Sequence, residues 1–202
     1  MIPQVLSAAL SWASVVALAM VMLAGVYAGA LVAERGGPAL LLRYPRWMHR
    51  VMEWWFARSP SGWGIFFTIL ILNNIALLTA MFSGLLVVAP PVVIFFTGFH
   101  VAVISFDMMR WKGIWQILVN PIAWLEFPAA WIAGALGVSI AGVAAGSGPG
   151  AGLERALELL PVYLRYPGAI LLVAALLETV MIVLMRRFGG GDEPRGDDPG
   201  KK

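Results

Sequence analysis

Residues 120–137 read NPIAWLEFPAAWIAGALG. The stretch sets one carboxylate between two prolines and follows it with small residues, all within a segment apolar enough to enter a bilayer. If the chain after Pro121 is helical, Glu126, Ala130, Gly134, Gly137 and Ala141 share one narrow face, because steps of four, four, three and four residues approximate whole turns. Small faces are where membrane helices approach one another, and a charged group aimed at lipid has nothing to pair with. Glu126 is therefore expected to face protein, and the rest of the chain to supply the helices that pack on it.

The composition agrees. Of 202 residues, 60% are hydrophobic and 12% charged, and the mean hydropathy is +0.84, outside the range of a soluble domain. Cysteine is absent, which excludes thiol catalysis, disulfides and thiolate metal sites. The net charge of +3 does not indicate nucleic acid, because the basic residues lie beside apolar segments and not on a soluble basic domain.

Read outward from the opening stretch, the pattern predicts an all-α polytopic bundle: one integral membrane domain over 1–188 with about five spans and two interfacial amphipathic helices. The spans fall near 8–33, 64–88, 91–108, 121–145 and 168–188, each near the roughly 20 residues a hydrocarbon core requires. The first carries no charge and lacks the basic start and short apolar core of a cleaved signal, so it reads as a retained anchor. Between the first two spans, Arg46, Trp47, Arg50, Trp54, Trp55 and Arg58 fit an interfacial helix over about 45–58, with aromatic anchors toward the membrane and arginines toward head groups. Pro90-Pro91 forces a turn before the third span. GSGPGAG at 146–152 reads as a loop, 153–166 as a second interfacial helix broken near Pro161, and 189–202 as a disordered tail. Five spans put twelve basic residues on one side and only Arg155 and Arg165 on the other, which places the N-terminus outside and the C-terminus in the cytoplasm.

Five polar residues fall inside the spans: Asn73, Asn74, His100, Glu126 and Glu178. A charge at the bilayer centre costs about 2.5–3.5 kcal/mol on insertion scales, so these residues are expected to face partners, with both carboxyls protonated or hydrogen-bonded. Paired carboxylates with a histidine could carry protons, move a solute or do acid–base work. The alternative is that Asn73, Asn74, His100 or backbone freed at Pro121 and Pro128 holds the two glutamates and fixes helix register. That reading is favoured, since packing and polar satisfaction account for the pattern. No HExxH or ligand cluster supports a metal, no spacing supports a Ser–His–Asp site, and the glycine-rich GSGPG lacks the ending of a phosphate loop. No catalytic residue, metal or other cofactor is expected.

The succession FFTILILNNIALLTAMFSGLL, FFTGFHVAVIS, NPIAWLEFPAAWIAGALG and LLVAALLETVMI resembles the stage II sporulation protein M family over about residues 60–185. The resemblance carries Asn73, Asn74, Gly84, Gly98, Pro121, Glu126, Pro128, Ala129, Gly134, Gly137, Ala175 and Glu178 onto family positions. Thr97 stands where an Asn is usual, and Ile122 and Ala123 where His and Gly are common. In spore formers the family's namesake is a membrane anchor in a complex that remodels peptidoglycan, recruiting partners that do the chemistry. The resemblance thus implies a scaffold. Expected partners are membrane lipids and membrane or cytoplasmic proteins, a second copy of the chain among them. The alternatives are a transporter or permease-like subunit and, third, an intramembrane enzyme.

Overall fold

The structure, a computed structural model, describes residues 11–58 and 60–188; the expected tail at 189–202 and the first residues of the span placed at 8–33 lie outside them. The described chain is helical: α1 (Trp12–Glu34), α2 (Ala39–Phe56), α3 (Gly62–Phe82), α4 (Ala89–Met109), α5 (Trp111–Val119), α6 (Ala123–Ser147), α7 (Pro149–Tyr163) and α8 (Ala169–Phe188). A 3₁₀ turn, Ser83–Leu86, prolongs α3, and a π-helical turn, Leu164–Gly168, joins α7 to α8. Five stretches are long and apolar enough to cross a membrane: Trp12–Glu34, Gly62–Leu86, Ala89–Met109, Ala123–Ser147 and Pro149–Phe188. This is a multi-pass membrane protein.

Three polar contacts fix which helix ends meet. Trp111 donates its indole N–H to Glu34 (2.8 Å), Arg46 pairs with Asp107 (2.7 Å), and Arg186 donates to the carbonyls of Phe56 (3.2 Å) and Pro60 (3.1 Å). The C-terminal ends of α1, α4 and α8 therefore gather at one end of the bundle with α2. The turn after α3 and the start of α7 meet at the other, where a Cβ on Gly152 would stand 3.3 Å from a Leu85 methyl.

Glycines set the closest approaches. A Cβ on Gly25 would land on the Phe95 carbonyl and one on Gly98 on the Met22 carbonyl, so α1 and α4 touch backbone to backbone, running in the same direction. Gly84 and Gly137 do the same for α3 and α6, where a Cβ on Gly137 would be 2.6 Å from the Ala80 oxygen. Gly134 receives Ile94 and Leu18. The small face expected on α6 is the centre of the core: Ala130, Gly134, Gly137 and Ala141 are all buried. Without a hydrophobic force between helices in lipid, close van der Waals contact of this kind is what holds spans together.

Several boundaries differ from the sequence expectation. The loop at 146–152 shrinks to Gly148, whose φ of 88° turns α6 directly into α7, with Pro149 in the first helical turn, where a missing N–H is tolerated. The break near Pro161 does not occur. The inner residues Gly152, Ala156, Leu159 and Tyr163 are buried, with Gly152 against Ala144 of α6 and Tyr163 bonded to α3, and the helix persists to the π turn around Pro167. The helix placed at 153–166 thus exists but continues without interruption into the span placed at 168–188. α2 starts at Ala39, six residues before the expected 45, and carries Pro45 inside it, buried toward the bundle. α6 starts at Ala123 and not at Pro121, which stays exposed in the turn where Asn120 accepts the Ile122 N–H (3.0 Å).

Candidate functional site

Asn73 and Asn74 sit near the middle of α3 and, as neighbours, point about 100° apart around its axis. Each serves a different helix. Asn73 donates its amide N–H to a carboxyl oxygen of Glu126 in the first turn of α6. Asn74 donates to the Leu70 carbonyl one turn back (2.8 Å) and accepts from the Tyr163 hydroxyl of α7 (2.8 Å). Two adjacent amides therefore tie α3 to both α6 and α7 in a place where lone polar groups are costly.

Glu126 and Glu178 are both half-buried, on helices that pack against each other. Glu178, on α8, makes no hydrogen bond among the described residues, although its neighbours Ala174, Ala175 and Thr179 are buried and the Thr179 hydroxyl bonds the Ala175 carbonyl (2.7 Å). The expectation that Glu126 faces a donor on another helix is met by Asn73. His100 and Asn74 do not join it. His100 lies instead against the Tyr44 ring of α2, with centroids 4.9 Å apart, flanked by Phe96 and Phe99. Gly84, Gly98, Ala130, Gly134 and Gly137 occupy helix contacts, whereas Pro128 and Trp124 line an apolar cavity of 280 Å³ between α1, α5 and α6.

The second polar region is the outer face of α2 and the turn that follows it. Arg43, Trp47, Arg50, Trp54 and Arg58 follow one another at steps of four, three, four and four and are all exposed, while Leu42, Pro45, Trp55 and Phe56 turn inward. The aromatic anchors and the arginines therefore share a stripe, not opposite faces as expected, and Trp55 is separate from Trp47 and Trp54. The inner face reaches across the end of the bundle. Leu42 enters the cluster of Val26, Ala30 and Phe99, and Phe56 packs on that of Ile65, Ile69 and Ala175. Arg46 is locked to Asp107 through two bonds (2.7 and 3.1 Å), and the paired carboxylate holds its guanidinium above its ordinary pKa.

Tyr163 and Asp107 were not picked out by sequence reasoning. Tyr163 sits in a segment with four charged neighbours and so read as surface, and Asp107 closes an apolar run as any boundary charge does. Nothing near Asn74 in the sequence hints at a tyrosine 89 residues on.

The model of one protein family, stage II sporulation protein M, matches residues 16–181. The chain belongs to the stage II sporulation protein M family. The match extends upstream of the resemblance read at 60–185 and takes in α2 and all but the first turn of α1, so the arginine–tryptophan stripe and the glycine contact of α1 with α4 lie within the family region. No curated protein and no solved structure matches the chain.

Proposed function

We propose that this stage II sporulation protein M family member is a non-enzymatic scaffold that anchors a membrane complex, with α2 as its cytoplasmic contact with lipid or protein. The observation that carries the reading is the way the deep polar groups are used. Asn73 is taken up by Glu126, and Asn74 by Tyr163 and a backbone carbonyl, inside a bundle whose helices meet backbone to backbone. Polar groups spent on each other fix helix register and leave α2 as the feature richest in unsatisfied chemistry. The twelve-to-two bias of basic residues supports an outside N-terminus and a cytoplasmic C-terminus. Partners on this reading are lipids and membrane or cytoplasmic proteins, with self-association compatible and nucleic acid not expected. Mild-detergent purification of the full chain from its native membrane, followed by identification of co-purifying proteins, tests it: a chain recovered alone after crosslinking counts against a scaffold.

The second reading, a transporter or permease-like subunit, is favoured by one observation, the half-buried Glu178 carboxyl without a hydrogen bond among the described residues, on a helix that packs against the one carrying Glu126. Proton or solute flux in liposomes that is abolished by Gln at both positions would promote it over the scaffold.

A further inference from the structure

The three arginines of α2 and Arg58 in the turn after it divide into two pairs. Arg46 is held by Asp107, and Arg58 lies over the Trp54 ring (3.4 Å) while donating to the Trp54 carbonyl (3.0 Å). Arg43 makes no hydrogen bond or ion pair among the described residues, and Arg50 makes only a long bond of 3.4 Å to the Arg46 carbonyl. Arg43 and Arg50 stand two turns apart, about 10 Å along the axis, and line one concavity of 440 Å³ with Leu40, Tyr44 and Trp47. The concavity is oriented from behind. The Arg46–Asp107 pair and the contact of Tyr44 with His100 pin this part of α2 to α4.

We infer that Arg43 and Arg50 hold the phosphate of an anionic phospholipid, whose chains lie over Leu40, Tyr44 and Trp47. The inference rests on the reading of α2 as a membrane-surface helix and deepens it by assigning the ligand and the residues. Guanidinium presents paired donors that match phosphate oxygens, and it sheds its hydration more readily than ammonium does. The surroundings choose a lipid over an acidic protein: Leu40 is 83% exposed and Trp47 and Tyr44 are each 50% exposed, so the same concavity offers cations and a bare apolar wall. A bilayer with anionic head groups supplies the complement to both at once. The neighbouring spans bring that bilayer to the concavity.

The test uses the full chain purified in neutral detergent, with phosphatidylglycerol, phosphatidylcholine and glycerol 3-phosphate titrated separately and binding read by native mass spectrometry and thermal midpoint. Phosphatidylglycerol is expected to bind and raise the midpoint, the other two to do neither. The double variant Arg43→Gln, Arg50→Gln should bind phosphatidylglycerol about 25-fold more weakly, since each basic residue near an anionic surface contributes roughly a fivefold preference. Arg155→Gln, on α7 at the opposite end of the bundle, should leave phosphatidylglycerol binding unchanged. The charge-retaining variant Arg43→Lys, Arg50→Lys should recover part of the loss, which separates head-group binding from a folding defect. Equal binding of phosphatidylcholine, equal binding of glycerol 3-phosphate, displacement by a poly-glutamate peptide at equal concentration, or undiminished binding by the Gln double variant each overturns the inference. Co-purifying partners retained by a parent chain that shows no preference for phosphatidylglycerol would sink this assignment and spare the scaffold; flux in liposomes with lipid preference intact would do the reverse.

Discussion

Asn73 and Asn74 show how one dipeptide can serve two helices, and the consequences differ for each partner. Glu126→Gln keeps a carbonyl oxygen for the Asn73 amide and should leave the thermal midpoint near that of the parent. Glu126→Leu strands the amide and should destabilise by about 1–3 kcal/mol, the cost of an unmet buried polar group. A Leu variant as stable as the Gln variant, measured by unfolding in one detergent, would show that the bond carries no weight. Tyr163→Phe removes only the hydroxyl that Asn74 accepts, so a loss of about 0.5–1.5 kcal/mol is expected. Function separates from stability at the carboxyl pair. With Gln at both Glu126 and Glu178, a scaffold keeps its complex, and a protein that is stable but inactive would sink that reading. The glutamates and asparagines were legible in the sequence because charge and amide inside an apolar run demand a partner. Which partner was not legible, since pairing across 53 and 89 residues depends on how the helices turn toward one another.

At the scale of the element, α2 is the helix whose sequence pattern and packing diverge. Its periodicity announced an amphipathic helix, but tryptophan occurs on both of its sides, and only packing decides that Trp55 turns in while Trp47 and Trp54 remain out. Proline and glycine misled for a related reason. Pro45 and Pro161 each cost one backbone bond, yet each lies in a helix whose inner face is held by buried neighbours, and tertiary contact outweighs the local signal. The clamp on α2 is open to a direct test. Asp107→Asn removes the charge that holds Arg46 and should raise the rate of limited proteolysis within 39–58 severalfold, with little change in the bundle's own unfolding. Proteolysis unchanged in that variant would mean that Leu42, Pro45 and Phe56 suffice to seat the helix.

For the whole molecule, the spans were readable from hydropathy, while the seamless run from Pro149 to Phe188 was not, because a window of apolarity cannot see a helix that remains continuous through charged residues. The sidedness expected from the basic residues can be measured at exposed positions. Cysteine in place of Ala57 should be reached by a membrane-impermeant maleimide only from the cytoplasm, and cysteine in place of Ser147 only from outside; labelling of both from one face would overturn the five-span arrangement. The glycine contacts make a further prediction. Gly98→Val sets methyl groups against the Met22 backbone, and should lower stability by about 1–3 kcal/mol or more, whereas Gly142→Val, where nothing stands within 4 Å, should cost far less in the same unfolding assay. The union of α1 with α4 also governs the order in which the chain can mature. The ribosome must add about 70 residues after Gly25 before Phe95 exists, roughly 4–14 s at ordinary elongation rates. During that interval α1 has entered the bilayer with its glycine groove unfilled, and α2 and α3 are made before its mate arrives. An insertase that shelters α1 until α4 emerges would therefore govern yield, and chains truncated ahead of α4 should be cleared by membrane proteases far faster than chains cut after it.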